Sequence, residues 1–139
     1  MGRILGLDVG EKTIGVAVSD ELGWTAQGLL TLKRENAQQD FAALNKLVET
    51  YEVEKVVVGL PKNMNNTIGE QAEKVIKFAK TLERKFPQIP VTFWDERLST
   101  VAADNVLISA DLSRKKRKRV INTLAAVFIL QGYLDAHPQ

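Results

Sequence analysis

The chain has 139 residues, 45% of them hydrophobic, which is enough to build one substantial core, so we expect a single domain over residues 1–139. The absence of cysteine excludes a disulfide framework, thiolate catalysis and a cysteine-based zinc site, which leaves carboxylates as the ligands for any metal. Six of the nineteen basic residues lie in the run 114–119; the thirteen basic and seventeen acidic residues elsewhere give −4, so the formal charge of +2 hides one localised basic patch.

No apolar stretch of the sequence approaches the roughly 20 residues that a helix needs to cross a bilayer. Met1-Gly2-Arg3 leads directly into a strand-like segment, without the pattern of a signal peptide. We therefore expect a soluble, cytoplasmic protein that does not bind a membrane.

The first part of the chain predicts a meander of strands. Residues 4–9 form a short apolar run, residues 10–13 form a turn, and apolar residues alternate over 14–18. This pattern predicts two adjacent antiparallel strands. A third strand is predicted over Leu29 to Leu32.

The middle of the chain alternates between helix and strand. Apolar residues recur at helical spacing over 41–51, whereas residues 56–60 are almost entirely apolar, as expected for a central parallel strand covered on both faces. Residues 67–70 have the spacing of a capping box and open a second helix that runs to about Phe86. Residues 91–94, rich in β-branched and aromatic side chains, predict another strand.

Helices dominate the end of the chain. A short helix is predicted near Thr100 to Ile108, and a long one from around the basic run to Leu134. Residues 124–130 are apolar nearly all round, so this last helix should be buried. The order of elements predicts an α/β fold with a mixed sheet and helices on its faces.

Asp8 is the first candidate for a functional residue. It stands inside an apolar strand, where a charge costs several kcal/mol unless something pairs with it, so a bound cation is one explanation. A salt bridge to an arginine, or a cap on the turn at Gly10, is the alternative.

Asp95 and Glu96 form a second acidic position, at the end of a different strand. Because side chains alternate across a strand, at most one of the two readily faces the same side as Asp8. The carboxyl ends of parallel strands are where ligands gather in an open α/β sheet, so a shared carboxylate site is geometrically reasonable. A solvated turn of acidic and basic residues is the alternative.

Four segments together carry the most specific signal in the sequence. They are Ile4-Leu5-Gly6-Leu7-Asp8-Val9-Gly10, Val58-Gly59-Leu60-Pro61-Lys62-Asn63-Met64, Asp95-Glu96-Arg97-Leu98-Ser99-Thr100 and Ala125-Ala126-Val127-Phe128-Ile129-Leu130-Gln131. In this order and at this spacing they resemble the YqgF/RuvX family over essentially the whole chain.

The resemblance implies an RNase H-like fold, with a mixed five-stranded sheet flanked by helices. It also implies a metal-dependent nuclease, since members of the family are described as Holliday junction resolvases and as nucleases that mature the 5′ end of pre-16S ribosomal RNA. Asp8 matches the first-strand Asp of the family, and Glu96, with Asp95 beside it, matches the second acid. The implied cofactor is Mg²⁺ or Mn²⁺.

Two positions depart from the family pattern. Asn66 occupies a glycine position of the loop after the strand 56–60, and because Asn also adopts a left-handed backbone readily, the turn should survive. Asn122 stands where the family usually has an Asp. An Asn carbonyl can coordinate a metal but brings no charge, so the second of two catalytic Mg²⁺ ions should bind more weakly. We therefore predict Asp8, Glu96 and Asn122 as metal ligands, with catalytic competence depending on Asn122.

The basic run consists of Arg114, Lys115, Lys116, Arg117, Lys118 and Arg119. At the first turns of the last helix, the macrodipole disfavours positive charge, so fold stability does not explain this placement. The run directly precedes Asn122 and is predicted to bring a phosphate backbone to the metal site. A mobile, solvated turn is the alternative.

Three further residues are predicted to contact nucleic acid. Lys62 and Asn63 belong to a polar loop suited to hydrogen-bonding phosphate or sugar, and Arg97 follows the acidic pair. An ordinary hydrophilic turn explains the loop equally well. His137, near the terminus, is expected to be a disordered tail residue.

The sequence leaves several functions open. The leading hypothesis is cleavage of structured RNA, at the 5′ end of pre-16S rRNA. Resolution of branched DNA is the second, and since it usually needs a symmetric dimer and no dimerisation surface is obvious, a monomer or weak homodimer is expected. The segment from Asp8 to Thr13 also resembles the phosphate loop of actin-like and sugar-kinase ATPases, but those enclose ATP between two such domains. Asn122 leaves open a nucleic-acid-binding protein with impaired catalysis.

Overall fold

The computed structural model describes residues 2–61, 68–95 and 114–137, with the side chains of the last segment described from Thr123 onward. These segments form five strands, β1 (Arg3–Val9), β2 (Thr13–Ser19), β3 (Ala26–Lys33), β4 (Val53–Leu60) and β5 (Val91–Asp95), and three helices, α1 (Ala37–Thr50), α2 (Glu70–Lys85) and α3 (Arg114–Ala136). No helix within these segments is both long enough and apolar enough to span a bilayer.

The five strands form one mixed sheet in the order β3-β2-β1-β4-β5. Neighbouring strands are antiparallel in the meander β1, β2 and β3, whereas β1, β4 and β5 run parallel to one another. This arrangement confirms the predicted mixed sheet. The third strand is confirmed as well, and it extends beyond the predicted residues at both ends.

Helices cover both faces of the sheet. One core lies between the sheet and helices α1 and α2, where Phe41 and Phe78 stack with ring centroids 4.9 Å apart. The other core lies under α3. Strand β4 is buried from both sides, because Val56 and Val58 belong to the first core and Val57 belongs to the second, as expected for a parallel strand between two helical layers.

Helix α3 lies unusually close to the sheet at two glycines. A Cβ atom on Gly6 would lie 2.7 Å from Leu130 Cβ, and one on Gly28 would lie 2.8 Å from Thr123 Cγ2, so a larger residue would force the helix away. Ala125 and Ala126 are buried in this contact. The small side chains on this face of α3 therefore let the helix approach the sheet closely.

Two predicted features differ from the structure. Helix α2 begins at Glu70, with Gly69 as its N-cap and no side-chain cap hydrogen bond, so Glu70 is the first helical residue rather than the third and the predicted capping box is wrong. In the part of helix α3 whose side chains are described, from Thr123 onward, the burial is not all round, since Leu124, Val127 and Phe128 are half-buried. The short helix predicted over 100–108 lies outside the described residues.

Candidate active site

Asp8 lies at the carboxyl end of β1, on the α3 face of the sheet. Side chains alternate along a strand, and both neighbours, Leu7 and Val9, are buried in the core beneath α1 and α2. Asp8 therefore faces the other side, as does Ile4, which packs against α3. The residue is half-buried, so its carboxylate sits at the edge of an apolar layer.

A transverse row of residues connects Asp8 with the first half of helix α3. Asp8 pairs with Gly15 on β2, and Gly15 pairs with Thr31 on β3. The hydroxyl oxygens of Thr31 and Thr123 are 2.6 Å apart, which ties α3 to this row. Thr31 lies two strand spacings, about 10 Å, from Asp8, so this bond places the first half of α3 over the β3 end of the row.

Asp95 ends β5 on the opposite face of the sheet from Asp8. Its neighbour Trp94 lies under α3, where the indole Nε1 would be 2.8 Å from a Cβ on Gly132. Alternation then directs Asp95 to the α1–α2 face, and this agrees with its register partner Leu60, which is buried in that core. The structure thus separates the carboxylates of Asp8 and Asp95.

Several predicted site residues lie outside the described part of the chain. Lys62, Asn63, Glu96 and Arg97 lie outside the described residues. The basic run 114–119 and Asn122 belong to helix α3 by their backbone, but their side chains are outside the description. The run occupies the first six residues of α3, with no acidic residue in the first turn, as the sequence predicted.

The turn that follows Asp8 is held at every residue. Each position from 9 to 12 accepts a hydrogen bond from outside the turn: Val9 O from Gln71 Nε2 (3.4 Å), Gly10 O from Arg34 Nη1 (2.8 Å), Glu11 Oε1 from Lys74 Nζ (2.9 Å) and Lys12 O from Arg34 N (2.8 Å). The hydrogen bond between Glu11 and Lys74 lowers the pKa of the carboxyl and raises the pKa of the amine. The carboxyl end of β1 is therefore braced by the segment that follows β3 and by α2.

Arg34 and Asp40 form the most buried ion pair of this turn. The Asp40 side chain is 6% exposed, and Arg34 Nε lies 3.3 Å from its Oδ2. Sequence reasoning missed both residues. The only local signal is weak, since an acidic residue in the first turn of α1 is favoured by the helix dipole alone, and the bond to Gly10 spans 24 residues of chain.

The far end of α3 carries an aromatic cluster. The rings of Tyr133 and His137 stack with centroids 4.3 Å apart, and Trp94 meets both rings edge-on at 6.2 Å. The expectation that His137 is a disordered tail residue is therefore wrong, because Tyr133 offers it a packing partner one helical turn away. Trp94 also packs against the core beneath α3.

Comparison with known proteins identifies a matching family and relatives that are similar over nearly the whole chain. The family model described as RuvX, Holliday junction resolvase, matches residues 2–136. A proposed pre-16S rRNA nuclease of Heliobacterium modesticaldum is 60% identical over 134 residues, covering 96% of this chain and 89% of the relative. A protein of Bacillus thuringiensis strain Al Hakam with the same name is 61% identical over 136 residues, covering 96% and 98%.

Solved structures of junction-resolving enzymes share the fold. RuvC of T. thermophilus in complex with a Holliday junction substrate has a TM-score of 0.61 at 19% identity, covering 96% of this chain and 94% of the other. The fowlpox virus resolvase with Holliday junction DNA has a TM-score of 0.63 at 12% identity, covering 99% of both chains. At these identities the similarity establishes the RNase H-like fold alone. Because the family model matches residues 2–136 and these two relatives are about 60% identical, the chain belongs to the RuvX family of nucleases.

Proposed function

We propose that this chain is a Mg²⁺- or Mn²⁺-dependent nuclease that cuts structured nucleic acid, with the 5′ end of pre-16S rRNA as its substrate and the cytoplasm as its location. The observation that carries the proposal is the position of Asp8, a half-buried carboxylate at the end of β1 on the face crossed by α3. Membership of the RuvX family supports the nuclease chemistry, and the names of the close relatives support the substrate.

The donor chemistry fits a hard divalent cation. The chain has no cysteine, and His137 lies at the far end of α3 from Asp8, so oxygen atoms are the available ligands. Within the described segments, no three His, Cys, Asp or Glu side chains form a group that would hold a metal ion. A complete site at Asp8 therefore needs further ligands, and we assign Glu96 and Asn122 to this role.

Strand geometry supports Glu96 rather than Asp95 as the second carboxylate. Asp95 belongs to the face of the sheet opposite Asp8, where it cannot share a cation with that residue. Glu96 is the next acid along the chain. Asn122 is supported by the bond between Thr31 and Thr123, which ties the adjacent residue of α3 to the row of Asp8.

Each ligand has a separate task in the cleavage of a phosphodiester. Bound divalent cations supply an activated water and stabilise the leaving oxygen. Asp8 and Glu96 would hold the cations and offset their mutual repulsion with negative charge. Asn122 would present a neutral carbonyl oxygen, which orients one cation without offsetting its charge, so occupancy of that position should require more Mg²⁺.

Nucleic acid would be guided to this site by positive charge. The basic run 114–119 begins α3 and leads directly to Asn122. Its place at a helix amino terminus costs a few tenths of a kcal/mol or more per charge, which supports a role other than stabilising the fold. We assign Lys62, Asn63 and Arg97 as further contacts to phosphate or sugar.

Resolution of four-way DNA junctions is the second candidate function. The description of the matching family, Holliday junction resolvase, favours it. Cutting two strands symmetrically needs two active sites related by a twofold axis, so this function requires a homodimer, whereas trimming of an RNA end does not.

One experiment tests both candidates. The protein and its Asn122→Asp variant are incubated with precursor 16S rRNA and with a synthetic four-way junction, in Mg²⁺ and separately in Mn²⁺. We expect cleavage of the precursor RNA near its mature 5′ end, and faster cleavage at low Mg²⁺ by Asn122→Asp, because the added carboxylate tightens metal binding. Cleavage of the junction alone would favour the second function. Binding without cleavage by both proteins would contradict a nuclease.

A further inference from the structure

We propose that Arg34 is a positioning residue of the active site, which fixes the Gly10 carbonyl and thereby holds the Asp8 carboxylate in the orientation that binds metal. The proposal rests on the proposed role of Asp8 as a metal ligand. Arg34 itself lies on the segment between β3 and α1 and is 24 residues from Gly10 in sequence.

The guanidinium of Arg34 is fixed from three directions. Nη1 donates a 2.8 Å hydrogen bond to Gly10 O, and Nε lies 3.3 Å from Asp40 Oδ2. The guanidinium carbon lies 5.4 Å from the centroid of the Phe78 ring on α2. Asp40 is in turn fixed, because its Oδ1 accepts a 3.0 Å hydrogen bond from Glu35 N. Only a planar group with several donors can serve all of these partners at once.

Arg34 binds the backbone at a residue that has little conformational restraint of its own. Gly10 lies two residues after Asp8, directly after the end of β1. Because glycine has no Cβ atom, its backbone has more conformational freedom than that of any other residue. Gly10 N already donates to Thr13 O at 2.8 Å, and Arg34 secures the carbonyl of the same residue. Both polar groups of Gly10 are thereby bonded, which restrains the backbone two residues after Asp8.

Stability alone is a weak explanation for this ion pair. Burying the Asp40 carboxylate costs free energy that its partner only partly returns, and such pairs are often replaced by apolar residues without loss of stability. What an apolar residue cannot supply is a donor aimed at Gly10 O. A role in orienting the turn after Asp8 explains the arrangement. Metal sites lose affinity when the groups that orient their ligands are removed.

The strand β1 provides a matched control at its other end. Arg3 also pairs with a carboxylate, Glu21 at 3.4 Å, and its guanidinium lies 5.8 Å from the ring centroid of Tyr51. It therefore combines an ion pair with an aromatic contact as Arg34 does, but at the end of β1 remote from Asp8. Changes at Arg3 report on the general effect of losing such an arginine.

Two substitutions at Arg34 separate positioning from charge and from folding. Arg34→Lys keeps the charge and can still pair with Asp40, but one ammonium cannot also reach Gly10 O in the geometry of the guanidinium. Arg34→Gln removes the charge. Arg3→Lys and Arg3→Gln are the controls, and Asp8→Asn is the reference for loss of the metal ligand.

The measurements are Mn²⁺ affinity by titration calorimetry, melting temperature, and amide hydrogen exchange of the metal-free protein. We expect both Arg34 variants to weaken Mn²⁺ binding by about 10-fold. The Gly10 amide should exchange faster in both variants, whereas the Ile4 amide, which donates to Ser19 Oγ at the other end of β1, should be unchanged. Arg34→Lys should keep the melting temperature of the natural protein, and both Arg3 variants should keep its Mn²⁺ affinity.

The outcomes distinguish this proposal from the proposed function. If Asp8→Asn abolishes Mn²⁺ binding while both Arg34 variants bind as the natural protein does, Asp8 is a ligand and Arg34 does not position it. Restoration of full affinity by Arg34→Lys, or equal losses in the Arg3 variants, would likewise overturn the proposal. If Asp8→Asn binds Mn²⁺ normally, the proposed metal site is wrong, and the role of Arg34 falls with it.

Discussion

The hydroxyl oxygens of Thr31 and Thr123 lie 2.6 Å apart and join the edge strand β3 to helix α3. Thr31 shares a transverse row with Asp8, so this bond sets where the first half of α3 crosses the sheet. The helix is packed too tightly to slide, because Gly28, beside the same bond, has no room for a Cβ atom under Thr123. The row therefore links a strand carboxylate to the helix that carries Asn122.

Thr123→Val should lower the free energy of unfolding by about 1 kcal/mol, because it removes the hydroxyl and leaves Thr31 with one partner fewer at nearly constant shape. Urea unfolding measures the change. The control is the double variant Thr31→Val, Thr123→Val, in which the loss should be smaller than the sum of the two single losses. Strict additivity would show that the two hydroxyls do not interact in solution.

Asp8→Asn and Glu96→Gln should each abolish metal-dependent cleavage while leaving the fold intact or slightly stabilised. The reason is that neighbouring carboxylates repel one another in the metal-free protein, and neutralising either one relieves that repulsion. Nuclease assays and thermal melts test the two halves of the prediction. Normal cleavage by both variants would remove these residues from the mechanism, and unfolding of Asp8→Asn would favour a structural role for that carboxylate.

Replacing residues of the run 114–119 in pairs by Gln should weaken nucleic-acid binding for all sequences alike. Each lost phosphate contact should flatten the plot of log affinity against log salt by about 0.7 to 0.9, since fewer counterions are released. Fluorescence anisotropy over a salt series measures the slope. Lys46→Gln with Lys77→Gln, two exposed lysines on the helices of the other face, is the matched control. Equal slopes in the two double variants would make the run an ordinary solvated surface.

The stability of the turn between β2 and β3 should depend on pH through Asp20. The hydrogen bond from Trp24 N, at 2.8 Å, is the main cause that lowers the pKa of Asp20 below its ordinary value of 3.8. A carboxyl whose pKa is lowered by folding stabilises the folded state at higher pH, and this contribution is lost as the pH falls through the lowered value.

Asp20→Asn should therefore melt at a lower temperature than the natural protein at neutral pH, and the difference should shrink as the pH falls below 3.8. Melting curves across this pH range provide the test. The fluorescence of Trp24, which is 65% exposed, follows the same turn locally. A difference that stays constant over the whole range would mean that the charge of Asp20 does not contribute.

The sequence determined the main architecture because the relevant signals are local. The apolar runs 4–9 and 56–60, the alternation over 14–18 and the helical spacing of 41–51 each depend on neighbours within a few positions. The structure has these elements in place. Asp8 could be selected for the same reason, since a charge inside an apolar strand is visible without knowing what lies above it.

Other features needed the tertiary structure. Alternation predicted that at most one of Asp95 and Glu96 readily faces the side of Asp8, but only the packing of Trp94 beneath α3 decided that Asp95 belongs to the other side. The start of α2 at Glu70 could not be predicted from the sequence either. Residues at the spacing of a capping box do not always form the hydrogen bonds of the cap.

The bond between Arg34 and Gly10 is the clearest case of information absent from the sequence. It spans 24 residues and exists only because β3 returns antiparallel beside β2, which brings Arg34 back to the turn that follows Asp8. The edge-on contact between His137 and Trp94 likewise depends on how α3 ends against β5. Local propensity fixes the elements, whereas contacts between residues distant in sequence are fixed by how those elements pack.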